Sequence, residues 1–96
     1  MQAFFIATFN IKNPEKFREY ASKAAATFAA YGGEIALRGK AEEALAGSLG
    51  HTTAGAVKFP DMDSLLRWFK SEEYQAIVPL RNKAADMTII AYSAPS

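Results

Sequence analysis

The sequence predicts an α+β domain in which a four-stranded antiparallel sheet carries helices on one face. Apolar, β-prone runs at both ends of the chain, and two more in its middle, bracket two stretches of helical spacing, giving the order β-α-β-β-α-β. Breakers stand where that order needs them, at Asn13-Pro14, Gly32-Gly33 and Pro60. A length of 96 residues suits one domain with a single core. At that size an isolated core gives only marginal stability, so any further buried surface matters.

The first strand is Ala3 to Phe9 (AFFIATF), apolar at almost every position and therefore expected to be buried on both faces. Asn13 is a favoured N-cap and Pro14 suits a first helical position, so a helix should begin at Pro14. Phe17, Tyr20, Ala21, Ala24 and Phe28 recur along it at helical spacing. Gly32-Gly33 should end it, because a left-handed cap costs glycine little. In EIALRGK, Ile35 and Leu37 alternate with Ala36 and Arg38, which predicts a second strand with its charge on the less apolar face. The stretch AEEALAGSLGH either extends that strand to Leu45, with Gly47 to Gly50 as the turn, or is a loop. TTAGAVKF reads as the third strand.

A second helix should start near Asp61, where Asp61 or Asp63 can cap it or complement its dipole, with Leu65, Leu66, Trp68 and Phe69 on its apolar side. Ser71 is expected to cap another short helix reaching about Ile77, and Pro79 to force a kink or a new turn. MTIIAYS, from Met87, is the last strand, and only the terminal SAPS is expected to fray. This is the split βαβ, or ferredoxin-like, arrangement. Its outer layer raises a difficulty, because the first and last strands look apolar on both faces while two helices can cover only one. A large uncovered apolar face is unusual on a monomer. The simplest remedy is a two-fold homodimer whose open faces pack together, with a ligand pocket between sheet and helices or at the dimer seam.

Composition excludes several functions. Eleven Lys and Arg against ten Asp and Glu leave a formal charge of +1 with no basic run, which argues against a nucleic-acid partner. There is no cysteine, hence no disulfide, thiol nucleophile or thiolate metal site, and a single histidine, His51, cannot make a histidine-rich metal centre in one chain. The opening MQAFFIATFN has no basic region before its apolar residues and no small-residue cleavage site, so it reads as mature structure of a cytoplasmic protein. No apolar run approaches membrane-spanning length. Dinucleotide, phosphate-loop, nucleophile-elbow and zinc-protease motifs are absent, so no built-in cofactor is expected.

Five residues are candidate ligand contacts, and none is assigned a catalytic role. On one helix, Tyr74, Ile77, Val78 and Arg81 would share a face, where a phenol and a guanidinium fork could meet a carboxylate. The alternative places Tyr74 and Ile77 in the core, with Arg81 on helix-end carbonyls or paired with Glu72 or Glu73. Arg38 beside Gly39 leaves room for a ligand, or else makes a cross-strand ion pair. His51 is the natural base at neutral pH, though a histidine in a glycine-flanked turn is more often solvated. Tyr20 can point its hydroxyl into a pocket or be half-buried. Trp68 and Phe69 read as core or interface residues; Glu42 and Glu43 are the nearest candidate acid-base carboxylates in the second-strand region, although charges near a turn are usually solvated.

The spread of Tyr20, Gly32-Gly33, Arg38-Gly39, Phe59-Pro60, Trp68, Ser71-Glu72, Tyr74-Gln75-Ala76 and Arg81 resembles the domain of unknown function 1330 family over nearly the whole chain. The resemblance implies a dimeric α/β-barrel: a homodimer of ferredoxin-like protomers with their sheets face to face, and no defined reaction. Arg38 would match the family's arginine before glycine on the second strand, and Arg81 the arginine after the Tyr-Gln-Ala segment. The chain departs at Ala46-Gly47, where Glu-Gly is common, and at Leu49, near a usual aromatic. Three functions are compatible with these readings. One is a dimeric module in which Arg38 and Arg81 orient a small anionic or aromatic ligand. Another is an enzyme resembling the superfamily's cofactor-independent monooxygenases and isomerases, with His51 or Tyr20 as base. The third is an interaction module with no ligand.

Overall fold

The computed structural model of the chain describes residues 2–95. It contains β1 (Ala3–Ile11), α1 (Pro14–Ala29), β2 (Glu34–Lys40), β3 (Thr53–Phe59), α2 (Met62–Lys70), α3 (Glu72–Gln75), α4 (Val78–Ala84) and β4 (Ala85–Ser93). The four strands form one sheet in the order β2-β3-β1-β4, antiparallel at every pairing, which is the expected ferredoxin-like arrangement. At the carboxyl terminus Ser93 still belongs to β4 and the Ala94 N–H donates to the Gln2 carbonyl at 2.8 Å; Ser96, the last residue of the segment expected to fray, lies outside the described residues.

α1, α2 and α3 each begin on a side chain that accepts an otherwise orphaned backbone N–H, whereas α4 starts at Ile77 without one. Asn13 Oδ1 accepts from Lys16 N–H at 3.1 Å and Asp61 Oδ1 from Ser64 N–H at 2.7 Å. Ser71 does two things at the joint between α2 and α3: its Oγ accepts from Tyr74 N–H at 3.1 Å and donates to the Trp68 carbonyl at 2.6 Å. After α1 the chain turns through Gly32 at φ 83°. At Gly33 a Cβ would stand 2.9 Å from both the Phe28 carbonyl oxygen and the Phe59 ring, so close packing of backbone on an aromatic requires glycine there.

Four expectations are modified. The strand β2 stops at Lys40 rather than running on to Leu45, and 41–52 is a loop. The short helix after Ser71 ends at Gln75, two residues before Ile77, and α4 restarts at Val78 with Pro79 in its first turn, where the missing N–H has no intrahelical partner to lose. β4 begins at Ala85, two residues before Met87. A bulge between Ile35 and Leu37 also breaks the alternation of β2: Ile35 pairs with Val57 on the helix side, whereas Leu37 pairs with Ala56 on the open side and Arg38 with Gly55 on the helix side. One extra residue thus moves Arg38 to the face it would not otherwise occupy.

The helix side of β1 carries Phe5, Ala7 and Phe9, all buried. Trp68 closes this core, stacked on Phe5 at 5.1 Å between centroids and 4.4 Å from the Tyr74 ring, while its Nε1–H donates to Thr27 Oγ1 at 2.9 Å. One indole thereby joins α1, α2, α3 and β1. The opposite face of the sheet is uncovered. Ile90, Tyr92 and Leu37, the last 74% exposed, lie on it beside the partly buried Phe4 and Ile6, and Phe4 stacks on Tyr92 at 5.3 Å. The apolar open face expected from the sequence is therefore present.

Candidate functional site

The two halves of the sheet are covered unequally, and this creates the site. α1 packs on α4 and sets Phe17 against Phe9 of β1, and α4 and α2 lie against β4, whereas every residue of β2 is exposed. At the centre of β3 the helix side is Gly55, which has no side chain to fill the space that remains. A cleft of about 510 Å³ results between α1 and the β2–β3 half. Its walls are largely apolar, with Phe5, Phe9, Phe17 and Phe28 among them, and Tyr20 and Arg38 are the lining residues with strong polar heads. Such a mostly apolar cavity with few convergent polar groups is the usual form of a small-molecule site.

Tyr20 arrives there because it lies on the inner face of α1 with Ala24 and Phe28. Its hydroxyl is 2.8 Å from that of Tyr74, which is 0% exposed, and Arg81 Nη1 donates to the Tyr74 oxygen at 3.0 Å. Burial, reinforced by the neighbouring Tyr74, raises the Tyr20 phenol well above its ordinary value, and the nearby Arg81 charge only partly offsets this. Tyr20 is thus held as a neutral O–H across the whole physiological range.

A second cavity of about 460 Å³ lies on the open face of the same strands, lined by Ile6, Thr8, Leu37 and His51 among others. His51 is fixed there by two partners: Nδ1 is 2.8 Å from Thr8 Oγ1, and Nε2 is 3.4 Å from Asp86 Oδ2. The loop that carries it is clamped by Asn10, whose Nδ2 donates to the Gly50 carbonyl at 3.2 Å and whose Oδ1 accepts from Thr52 N–H at 2.9 Å. Beyond the clamp the loop projects Leu45, 91% exposed, and the exposed Leu49 into solvent.

The five residues singled out in the sequence therefore fall into three places. Tyr20 and Arg38 line the cleft, and Arg38 borders both cavities. Tyr74 and Arg81 line neither of the two; they stand behind Tyr20 as a hydrogen-bonded support. His51 is on the other side of the sheet. Sequence reasoning missed Thr8, Asn10 and Asp86, although a signal was present. Positions 8 and 10 interrupt an apolar strand with polar groups two apart, hence on one face, and their partners across the ladder are Thr88 and Asp86. The break between α3 and α4 did not separate Tyr74 from Arg81, because the side chain of Arg81 spans it.

Among the described residues no group of three or more His, Cys, Asp or Glu is clustered as a metal site, and no helix is long and apolar enough to cross a membrane. The family model described as Domain of unknown function (DUF1330) matches residues 2–94. No curated protein matches the chain. Among solved structures, a protein of unknown function from Rhodopseudomonas palustris, RPA0582, is similar with a TM-score of 0.81 and 16% identity, covering 99% of this chain and 83% of that one. SnoaB, a cofactor-independent oxygenase from Streptomyces nogalater, has a TM-score of 0.71 at 14% identity over 99% of this chain and 94% of its own. A dimeric ferredoxin-like protein of unknown function from Thermobifida fusca has a TM-score of 0.62 at 11% identity, covering 98% and 92%.

Proposed function

We propose, for a chain that belongs to the family called domain of unknown function 1330, a homodimeric binding module that takes a small organic ligand in the cleft between α1 and the β2–β3 half of the sheet. The observation that carries this reading is the cleft itself: about 510 Å³, walled by aromatic and small apolar side chains, with Arg38 and Tyr20 among its lining residues. The apolar walls suit an aromatic or aliphatic body, and the guanidinium suits a carboxylate or other anion at the end near β2. The dimer is supported by the uncovered face bearing Leu37, Ile90 and Tyr92, and by the dimeric description of the Thermobifida fusca relative.

Native mass spectrometry of freshly purified protein tests both parts at once. A dimer that retains a discrete small molecule is the expected result, and the molecule identifies the ligand class. The combined Leu37→Glu, Ile90→Glu variant should be monomeric with its helical circular dichroism intact, because a face-to-face interface would bury four like charges together. A wild-type chain that is monomeric at micromolar concentration overturns the dimer.

A second reading is that the cleft hosts cofactor-independent oxygenation, the activity named for the Streptomyces nogalater relative. The aromatic lining favours it, since an electron-rich aromatic would stack there. His51, the natural base, lies across the sheet from the cleft, which leaves Tyr20 as the group that would handle a proton. Oxygen uptake with a naphthohydroquinone, measured against Tyr20→Phe, separates the two readings: uptake that depends on Tyr20 favours the enzyme.

A further inference from the structure

The polar end of the cleft has a direction, set by a chain of hydrogen bonds that begins outside it. Arginine has five donors and no acceptor, so the Arg81 to Tyr74 contact at 3.0 Å has only one sense: the guanidinium donates and the Tyr74 oxygen accepts. Tyr74 must then place its own proton. It is 0% exposed, and the acceptor in reach is the Tyr20 oxygen at 2.8 Å. Were Tyr20 instead to donate to Tyr74, the Tyr74 proton would be buried without a partner, an arrangement that native interiors avoid. The sense of the second bond is therefore Tyr74 to Tyr20. Tyr20 is left with a hydroxyl proton that has no other acceptor among the described residues, on a residue that lines the cleft.

We propose that Arg81, acting through Tyr74, holds Tyr20 as a hydrogen-bond donor into the cleft, so that the cleft selects organic ligands bearing an oxyanion or a carbonyl oxygen at that end. A hydroxyl whose oxygen already accepts a bond is a stronger donor, and a positive charge at the head of the chain polarises both links toward the ligand oxygen. The class of ligand follows: a phenolate, enolate or carbonyl compound with an apolar body, in preference to an amine or a ligand that offers only donors. Arg81 is a positioning residue here, since it touches Tyr74 and not the ligand. This inference rests on the cleft being a binding site, and its test keeps the two ideas apart.

Two probes are used on the full chain. N-phenylnaphthylamine, neutral and fluorescent, reports the apolar cleft alone; p-nitrophenol reports the oxygen end, because absorbance titration gives the apparent ionisation of the bound probe. In the wild type the phenolate should bind in preference to the phenol by roughly tenfold, the usual margin of a charged over a neutral hydrogen bond. Tyr20→Phe and Arg81→Met should remove that preference while N-phenylnaphthylamine binds as before, and Arg81→Lys should restore part of it. If N-phenylnaphthylamine does not bind, the cleft reading fails. If it binds but wild type and Arg81→Met ionise p-nitrophenol alike, the relay fails and the cleft stands. An Arg81→Met variant that loses its melting transition leaves Tyr74→Phe as the decisive comparison, since that variant cuts the chain without removing the charge.

Discussion

The half of the molecule built on β1 and β4 and the half built on β2 and β3 follow opposite rules. In the first, α1, α2 and α3 meet over the sheet, and Trp68 and Tyr74 are buried almost completely. In the second, β2 is exposed along its whole length and β3 offers alanine and glycine where another protein would have leucine. Only Val57 and Phe59 of β3 join the buried core from the second half, and the rest of that half stays open. Dense packing and open space are thus divided between adjacent strands of one sheet.

Substitutions can break or sharpen this division. The largest effect belongs to Trp68→Ala, which removes the indole shared by four elements and should cost about 3–5 kcal/mol in urea denaturation; a loss below about 1 kcal/mol would show that the two halves share the load. Gly55→Leu should act in the reverse sense. Its Cβ would meet only Arg38 Cβ and the Leu37 carbonyl oxygen, both at 3.8 Å, so the larger side chain grows into the cleft. Binding of N-phenylnaphthylamine should fall at least tenfold or so, while stability moves by no more than about 0.5 kcal/mol.

Smaller effects come from titration. Tyr20 keeps its proton in the folded chain above the pH at which the unfolded chain releases it. Its contribution is therefore complete below about pH 10 and declines as pH rises from there toward the folded value. Denaturation midpoints between about pH 9 and 11 should fall less steeply in Tyr20→Phe than in the wild type. Asp61 has the opposite sign. The Ser64 backbone N–H holds its carboxyl below the usual value, so the stabilisation is complete above about pH 4 and lost as pH falls through the folded value. Asp61→Asn keeps an acceptor at the helix start but removes the titration, and the acid limb of the melting temperature should flatten slightly.

Local chemistry made the packed half easy to read from the sequence and the hollow half hard. Asn13, Asp61 and Ser71 are caps whose function depends on the next three residues alone; Asn13 and Ser71 cap helices as expected, and of the two aspartates offered for α2 it is Asp61 that caps while Asp63 stands in the first turn. The apolar run of β1 likewise needs no long-range information. The bulge at β2 is different in kind: whether Ala36 is an extra residue depends on how β3 docks, and one residue decides which face Arg38 occupies. The end of β2 at Lys40 was equally hidden, since AEEAL is compatible with strand or loop until the pairing with Thr53 is known. Tyr74 and Arg81 could be listed together from spacing, but that they serve Tyr20, 54 residues before Tyr74, could not. Nor could the contact of His51 with Thr8, 43 residues away, because it depends on the loop being folded back by Asn10.

Thr53 to Ala56 line both cavities, so a single layer of backbone is the partition between them. Positions 53 and 55 face one compartment and positions 54 and 56 the other. Neighbouring codons therefore shape separate surfaces: a change at 55 alters the cleft, and a change at 54 or 56 alters the open face. Descent can reshape either surface in alternate letters of one short word.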